Sequence, residues 1–488
     1  MLFNSYEFIL LFLPITLLVF HLIGKQGERR LAIAWLVGAS LFFYGWWNPA
    51  YLILMLFSIL FNYGIGISLG LSRVFSKKII LAFGIIVNLS VLGYYKYANF
   101  FVDNLNAISN ADIVFEQVIL PLAISFFTFQ QVAYLVDTFK GETREYSFLH
   151  YCLFVTFFPQ LIAGPIVHHK EMLPQFEKDS LYRLRADNLA IGFTIFAIGL
   201  FKKVMIADSI SAYATPVFSA AEIGVVLTFF EAWTGSIAYS LQLYFDFSGY
   251  SDMAIGLARM FGIRLPVNFS SPYKSTSVIE FWRRWHITLS RFLRDYLYIP
   301  LGGNRGGKLK RHKNLMITMI LGGLWHGAGW TYIIWGGLHG LYLLINHSWV
   351  EFRRLLFNGR KYPDIFRKIG WILTIIAIVI AWVPFRAESF EGAISILTSM
   401  SGLNGIGGDS PKQFIIAIIL LIITTIIPPN TQQIMKNYTP VLESHDIDQV
   451  NKYLQWKPTA LWSIAVSLIF ITSLFSLSEK SEFLYFQF

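Results

Sequence analysis

Long apolar runs separated by short polar stretches set the pattern of this chain from one end to the other. Residues 50–71, 149–167 and 459–478 contain no Asp, Glu, Lys or Arg. Further runs occupy 6–23, 31–47, 79–95, 118–136, 188–207, 225–246, 328–346, 369–385 and 413–427. A helix needs about 20 apolar residues to cross the hydrocarbon of a bilayer. Lipid offers the backbone no hydrogen bonds, so such runs form helices or a closed barrel. These are too long for barrel strands and lack period-two alternation. The pattern predicts an all-α polytopic membrane protein of about 11–13 transmembrane or re-entrant helices, with amphipathic helices at the interface.

Composition supports a single integral membrane domain over 1–488. Hydrophobic residues make up 55% of the chain and charged residues 14%, against about 25% charged in soluble domains. The first run reads as a retained span. A cleaved signal carries its basic residues ahead of the apolar stretch, but here Glu7 precedes it and Lys25, Arg29 and Arg30 follow. The positive-inside rule then places the N-terminus outside and the 24–30 loop in the cytoplasm. Arg73, Lys77 and Lys78 recur two spans later on the same side. After the run 79–95, 96–117 reads as an outside loop, with Asp103, Asp112 and Glu116 against Lys96 alone. The single cysteine, Cys152, excludes internal disulfides and thiolate zinc clusters, and no metal is expected.

The net charge of +10 is concentrated in one place. Between Ile263 and Lys313, eleven Lys and Arg face only Glu280 and Asp295. Positive charge at this density places 264–313 in the cytoplasm. It can orient the protein and attract anionic lipid heads, or form an electropositive mouth for an anionic acyl donor such as coenzyme A. Nucleic acid is not an expected partner, since no soluble module carries such binding. Trp282, Arg283, Arg284 and Arg305 are the candidate donor contacts. Residues 277–293 read as one amphipathic helix, with Val278, Phe281, Trp282, Trp285, Leu289, Phe292 and Leu293 on a stripe and His286 at its edge. Gly302 to Lys308 nearly spells a phosphate-binding loop. Leu309 stands where a magnesium-binding Ser or Thr is needed, and no buried strand precedes it, so it reads as a flexible turn.

Thirteen residues lead from Lys313 to His326, a helical rise of about 20 Å. That depth lies past the middle of a bilayer, where an ionisable side chain is a functional candidate by default. A neutral imidazole bonded to a carbonyl is the structural alternative. His339 reads as a packing residue. Two polar clusters, Tyr244 to Asp252 and Pro159 to Pro165, suggest broken helices lining an enclosed cavity. For Asp246 and Asp252, internal bonding is favoured over catalysis.

The stretches PQLIAGPIV (159–167), YFDFSGYSDMAIGLARMFGI (244–263), FWRRWHITLSRFLRDYLYIPLGGNR (281–305), LGGLWHGAGWTYIIWGGLHG (321–340) and the ending Phe483–Phe488 carry a resemblance. The chain is similar to the membrane-bound O-acyltransferase (MBOAT) family, in particular the bacterial branch that contains the membrane subunit of alginate O-acetylation (AlgI). The resemblance implies an MBOAT-like core at about 118–386, with flanking transmembrane helices in 1–117 and 387–488. It puts the family's membrane-embedded histidine at His326 and its second active position at His286. It implies an acyl donor, acetyl-CoA or an acyl carrier, entering from the cytoplasm. The acceptor would be an extracytoplasmic polysaccharide: alginate-like, cellulose or peptidoglycan. It also implies a bacterial cytoplasmic (inner) membrane location and a periplasmic SGNH-type acetyltransferase as partner within polysaccharide biosynthesis machinery. D-alanyl transfer to teichoic acid and a non-catalytic transporter or flippase are the alternatives.

Overall fold

The computed structural model describes residues 1–71, 76–110, 112–143, 147–357, 363–407, 411–442, 451–477 and 484. Arg73 and, apart from Leu484, the ending Phe483–Phe488 lie outside the described residues. Helices account for the fold, and no strand occurs among the described residues. In order they are α1 (Leu13–Lys25, continuing a π turn from Glu7), α2 (Arg29–Gly45), α3 (Ala50–Leu71), α4 (Lys77–Ser109), α5 (Ile124–Lys140), α6 (Phe148–Thr156), α7 (Phe158–Leu161) and α8 (His169–Phe176). Next come α9 (Ala186–Phe201), α10 (Asp208–Glu222), α11 (Phe229–Met260), α12 (Val278–Arg284), α13 (Ile287–Leu293), α14 (Lys308–His326), α15 (Trp330–Phe357) and α16 (Asp364–Arg386). Then α17 (Phe390–Met400), α18 (Pro411–Leu421), α19 (Thr431–Ile434) and α20 (Ala460–Phe475) complete the set.

Six of these helical segments are long and apolar enough to cross a membrane: Glu7–Lys25, Ala50–Leu71, Lys77–Ser109, Ala186–Glu222, Asp364–Arg386 and Pro411–Tyr438. Their outward side chains, among them Leu18, Ile53, Leu60, Ile86 and Ile372, are exposed. Apolar surface on this scale requires lipid around it.

Ion pairs gather the charged loops at one end of the bundle. Arg29 meets Asp179, Lys170 meets Glu142 at 2.6 Å, and Arg291 meets Glu171 at 2.7 Å. Glu351 accepts from both Lys308 (2.6 Å) and Arg311 (2.9 Å), which closes the base of the α14–α15 hairpin. The 24–30 loop and the basic 264–313 segment therefore share a face, as the charge pattern predicts. At the other end, Tyr44 Oη donates to the Leu122 carbonyl (2.8 Å) and Trp330 Nε1 to Asn104 Oδ1 (2.9 Å).

Three local expectations are corrected. Residues 244–252 are not broken but lie inside the continuous α11. Glycines bring it against α9: a Cβ on Gly199 would sit 2.6 Å from the Gly249 carbonyl, and one on Gly256 would sit 2.6 Å from that of Gly192. The two backbones thus touch, as small residues allow in membrane bundles. The stripe at 277–293 does not form one helix. It breaks at Trp285–His286 into α12 and α13, and its apolar residues are buried within the protein rather than set at the interface, apart from the half-buried Trp282. Finally, the outside loop does not begin at residue 96. Helix α4 runs on to Ser109, and Lys96 is buried within it. The Pro159–Pro165 segment does break the helix, giving α6, the single turn α7 and irregular backbone from 165 to 168.

The two aspartates of α11 are internally bonded, through ion pairs. A π turn at Lys202–Ala207 follows α9. From it Lys202 reaches Asp252 at 2.6 Å and Lys203 reaches Asp246 at 2.7 Å. Lys203 also holds Asp208 at 2.8 Å. Leu484 is buried here as well, its N–H donating to Asp246 Oδ2 (3.0 Å).

Candidate active site

Helix α14 begins after the glycine turn and stops at His326, because Gly327 is extended (φ −158°, ψ 151°). Chain direction then reverses within three residues into α15. His326 is therefore the last residue of a helix about 27 Å from the basic face, at 1.5 Å per residue. A helix end leaves carbonyls without partners. Lys96 supplies them: its Nζ donates to the carbonyls of Trp325 and His326, the latter at 3.1 Å. Tyr97 Oη donates to the Leu324 carbonyl at 2.7 Å. A cation at a helix C-terminus also complements the dipole.

His326 is 6% exposed. Its ring centroid lies 4.9 Å from that of Trp325, 5.0 Å from Trp335 and 5.2 Å from Phe385. His286 is 1% exposed and adopts φ +41°, a conformation costly for a residue with a Cβ and concentrated at functional sites. The neighbouring backbone holds it there. Ile287 N–H donates to the Asn268 carbonyl (3.0 Å). Thr288 Oγ1 donates to Asn268 Oδ1 (2.6 Å) and accepts from the Ile166 N–H (3.0 Å). The His286 ring lies 4.8 Å from Phe247, edge on, and 6.4 Å from Trp325. Residues 40 positions apart thus share Trp325 as a neighbour.

A cavity of about 160 Å³ reaches His326. Lys96, Ser125, Ala163 and Trp325 line it beside the histidine. Its outer wall includes Trp47 and Ile119, both exposed, so it opens at the end away from the basic face. An imidazole at the bottom of such a cavity can take a proton from an entering hydroxyl. The aromatic walls exclude water, which protects a thioester from hydrolysis.

The remaining sequence candidates divide. Trp282 is half-buried and donates from Nε1 to His339 Nδ1 (3.2 Å). Its ring packs on Trp335 (5.9 Å), which in turn packs on His326. His339 is fully buried in this cluster, as a packing residue should be. Arg284 pairs with Glu280 (2.9 Å), while Arg283 and Arg305 are exposed on the basic face. Arg305 sits in a turn whose glycines 302, 303, 306 and 307 all have positive φ, preceded by a π turn at Arg294–Tyr298 rather than a strand. Cys152 is buried in α6.

Sequence reasoning missed two groups. Lys96 is one, read as a loop charge although its run of apolar neighbours continues past it. Asp137, His168 and Tyr296 form the other: Tyr296 Oη donates to Asp137 Oδ1 (2.7 Å), and His168 Nδ1 lies 3.0 Å from Tyr296 Oη and 3.4 Å from Asp137 Oδ2. They tie α5 and the start of α8 to the turn after α13.

Comparison with known proteins identifies the family. Residues 80–383 match the model of the membrane-bound O-acyltransferase family. The peptidoglycan O-acetyltransferase of Helicobacter pylori is 46% identical over 434 residues, covering 83% of this chain and 81% of that protein. The probable alginate O-acetylase AlgI of Pseudomonas aeruginosa is 44% identical over 407 residues, 82% of this chain and 75% of the relative. Its Pseudomonas putida counterpart is 39% identical over the whole of both chains. Taken with the helical bundle and its lipid-facing surface, these matches mean that the chain is a multi-pass membrane O-acyltransferase and belongs to the MBOAT family.

Proposed function

We propose that this protein takes acetyl groups from cytoplasmic acetyl-CoA and passes them across the inner membrane for O-acetylation of an extracytoplasmic polysaccharide. The observation that carries the reading is the position of His326. It sits in an aromatic chamber with His286 nearby, and its cavity opens at the end opposite the basic face. In this reading the basic face is cytoplasmic and the N-terminus lies outside, following the positive-inside rule.

The chemistry follows from those positions. A hydroxyl entering by the outer cavity gives its proton to the His326 imidazole as its oxygen attacks the thioester carbonyl. His286 positions the donor or steadies the oxyanion of the tetrahedral intermediate. Collapse breaks the carbon–sulfur bond, and the departing thiolate takes the proton from His326, leaving an ester and free coenzyme A. Trp282, Arg283, Arg284 and Arg305 are the proposed donor contacts. A polymer does not fit a 160 Å³ cavity, so a periplasmic partner of the SGNH type is proposed to carry the acetyl group onward. The names of the relatives favour alginate or peptidoglycan as the polymer.

Release of free thiol from acetyl-CoA by the purified protein, with a small soluble hydroxyl acceptor, tests the reading. Wild-type protein should release thiol in step with ester formation, and His326→Ala should do neither. Equal rates in the two proteins would refute the assignment.

A further inference from the structure

A second cavity, of about 520 Å³, lies on the basic face, away from the two histidines. Its walls come from the end of α8, the start of α9, the end of α11 and residues 438–442. Lys178, Arg185, Arg259 and Arg264 line it, against one carboxylate, Asp187. Asp187 is already 3.6 Å from Arg185, so Arg259, Arg264 and Lys178 set the charge of the pocket.

Arg259 is the unusual member. It is 8% exposed, and its Nε finds no hydrogen-bond partner. Among the described residues no carboxylate pairs with its guanidinium. A buried cation without a counter-charge is costly, and folded proteins pair such groups. The pocket is also built rather than incidental. Gln175 clamps the loop that carries Arg264, accepting from its N–H (2.9 Å) and donating to its carbonyl (3.0 Å). Gly262, at φ +82°, lets the chain turn sharply after α11. Leu442 N–H donates to the Leu265 carbonyl (3.0 Å) and fixes the far wall.

We propose that this pocket is a binding site for a phosphate ester, with Arg259 as the buried anchor and Arg264 and Lys178 at its mouth. Arginine's planar donor fork matches phosphate oxygens two at a time, and three cations against a neutralised aspartate suit a dianion. Two sources offer that chemistry on this face: the nucleotide phosphates of an acyl-CoA, or the headgroup of an anionic lipid. The first source rests on the proposed acetyl-CoA donor and the second does not.

The test uses the full chain in its His326→Ala form, so that binding is read without turnover and separately from transfer. Adenosine 3′,5′-bisphosphate is titrated by calorimetry in detergent. In parallel, thermal stability is compared in nanodiscs with and without phosphatidylglycerol. Arg259→Gln should weaken bisphosphate binding at least tenfold, or abolish the rise in Tm given by phosphatidylglycerol. Whichever response is present identifies the source. Lys368→Gln, an exposed cation elsewhere on the chain, should change neither. Should Arg259→Gln not fold, Arg264→Gln reads the same pocket from its rim, with a smaller loss. Absence of both responses in the Arg259-intact protein, or responses that survive Arg259→Gln and Arg264→Gln, would overturn the proposal.

Discussion

Two regions of this bundle bury polar side chains in apolar surroundings, and they do so in opposite ways. Between α9 and α11, Lys202 and Lys203 meet Asp252 and Asp246 at 2.6 and 2.7 Å. Thr431 Oγ1 closes on Asp252 Oδ2 at 2.5 Å. Each charge there is neutralised inside the protein, and the cavity beside Asp252 is only about 10 Å³. At the α14 tip, His286 and His326 are surrounded by Phe247, Trp325, Trp335 and Phe385, and a 160 Å³ cavity reaches one of them. The difference separates polarity that locks helices together through ion pairs from polarity set among aromatic rings beside a cavity. Burial marks both regions, and only the surroundings tell them apart.

The comparison predicts opposite phenotypes. His326→Ala should lower acetyl transfer by about 10²–10⁴-fold, the range supplied by a positioned base, and leave detergent stability close to wild type. Lys203→Met should do the reverse. Removing one member of a buried pair costs about 3–5 kcal/mol, to be read as a large drop in Tm, while the protein that remains folded keeps its transfer rate. A stable but inactive Lys203→Met would move the α9–α11 network into the chemistry and break the contrast.

Lys96 lies between the two classes, since it is buried and cationic but bonded to backbone. Its hydrogen bonds to the α14 carbonyls should be worth about 1.5–3 kcal/mol each as charge-assisted bonds. Lys96→Met should lower kcat by roughly tenfold or more, because His326 loses its support, with KM for acetyl-CoA little changed. Lys96→Arg should recover part of the rate. Normal kcat in Lys96→Met would show that the cap does not position His326.

Much of this arrangement was legible in the chain because the physics was local. A 20-residue apolar run has one solution in lipid, so the helices at 50–71 and 79–95 could be read directly. Pro159 and Pro165 announced their break, and the spacing of Phe281, Trp285, Leu289 and Phe292 announced an apolar stripe. The break at His286 was not legible, since neither Pro nor Gly marks it. It is held open by Asn268 and Ile166, which lie far away in sequence. Asp246 and Asp252 looked like irregular backbone because their lysines are more than 40 residues distant. Lys96 looked like a loop charge because the carbonyls it caps are 229 and 230 residues downstream. A run of apolar letters reports where a helix can begin, but the partner of a buried charge is a tertiary fact.

Sidedness is where the account is most exposed to test. Liposomes should be prepared with the purified protein oriented basic face inward, acetyl-CoA inside, and polysaccharide outside with or without the periplasmic partner. The account predicts acetylated polymer only when the partner is present and His326 is intact, with free thiol accumulating inside. Efficient acetylation by this chain alone would refute the relay, and near-normal acetylation with His326→Ala would contradict the role given to the histidine at the α14 tip.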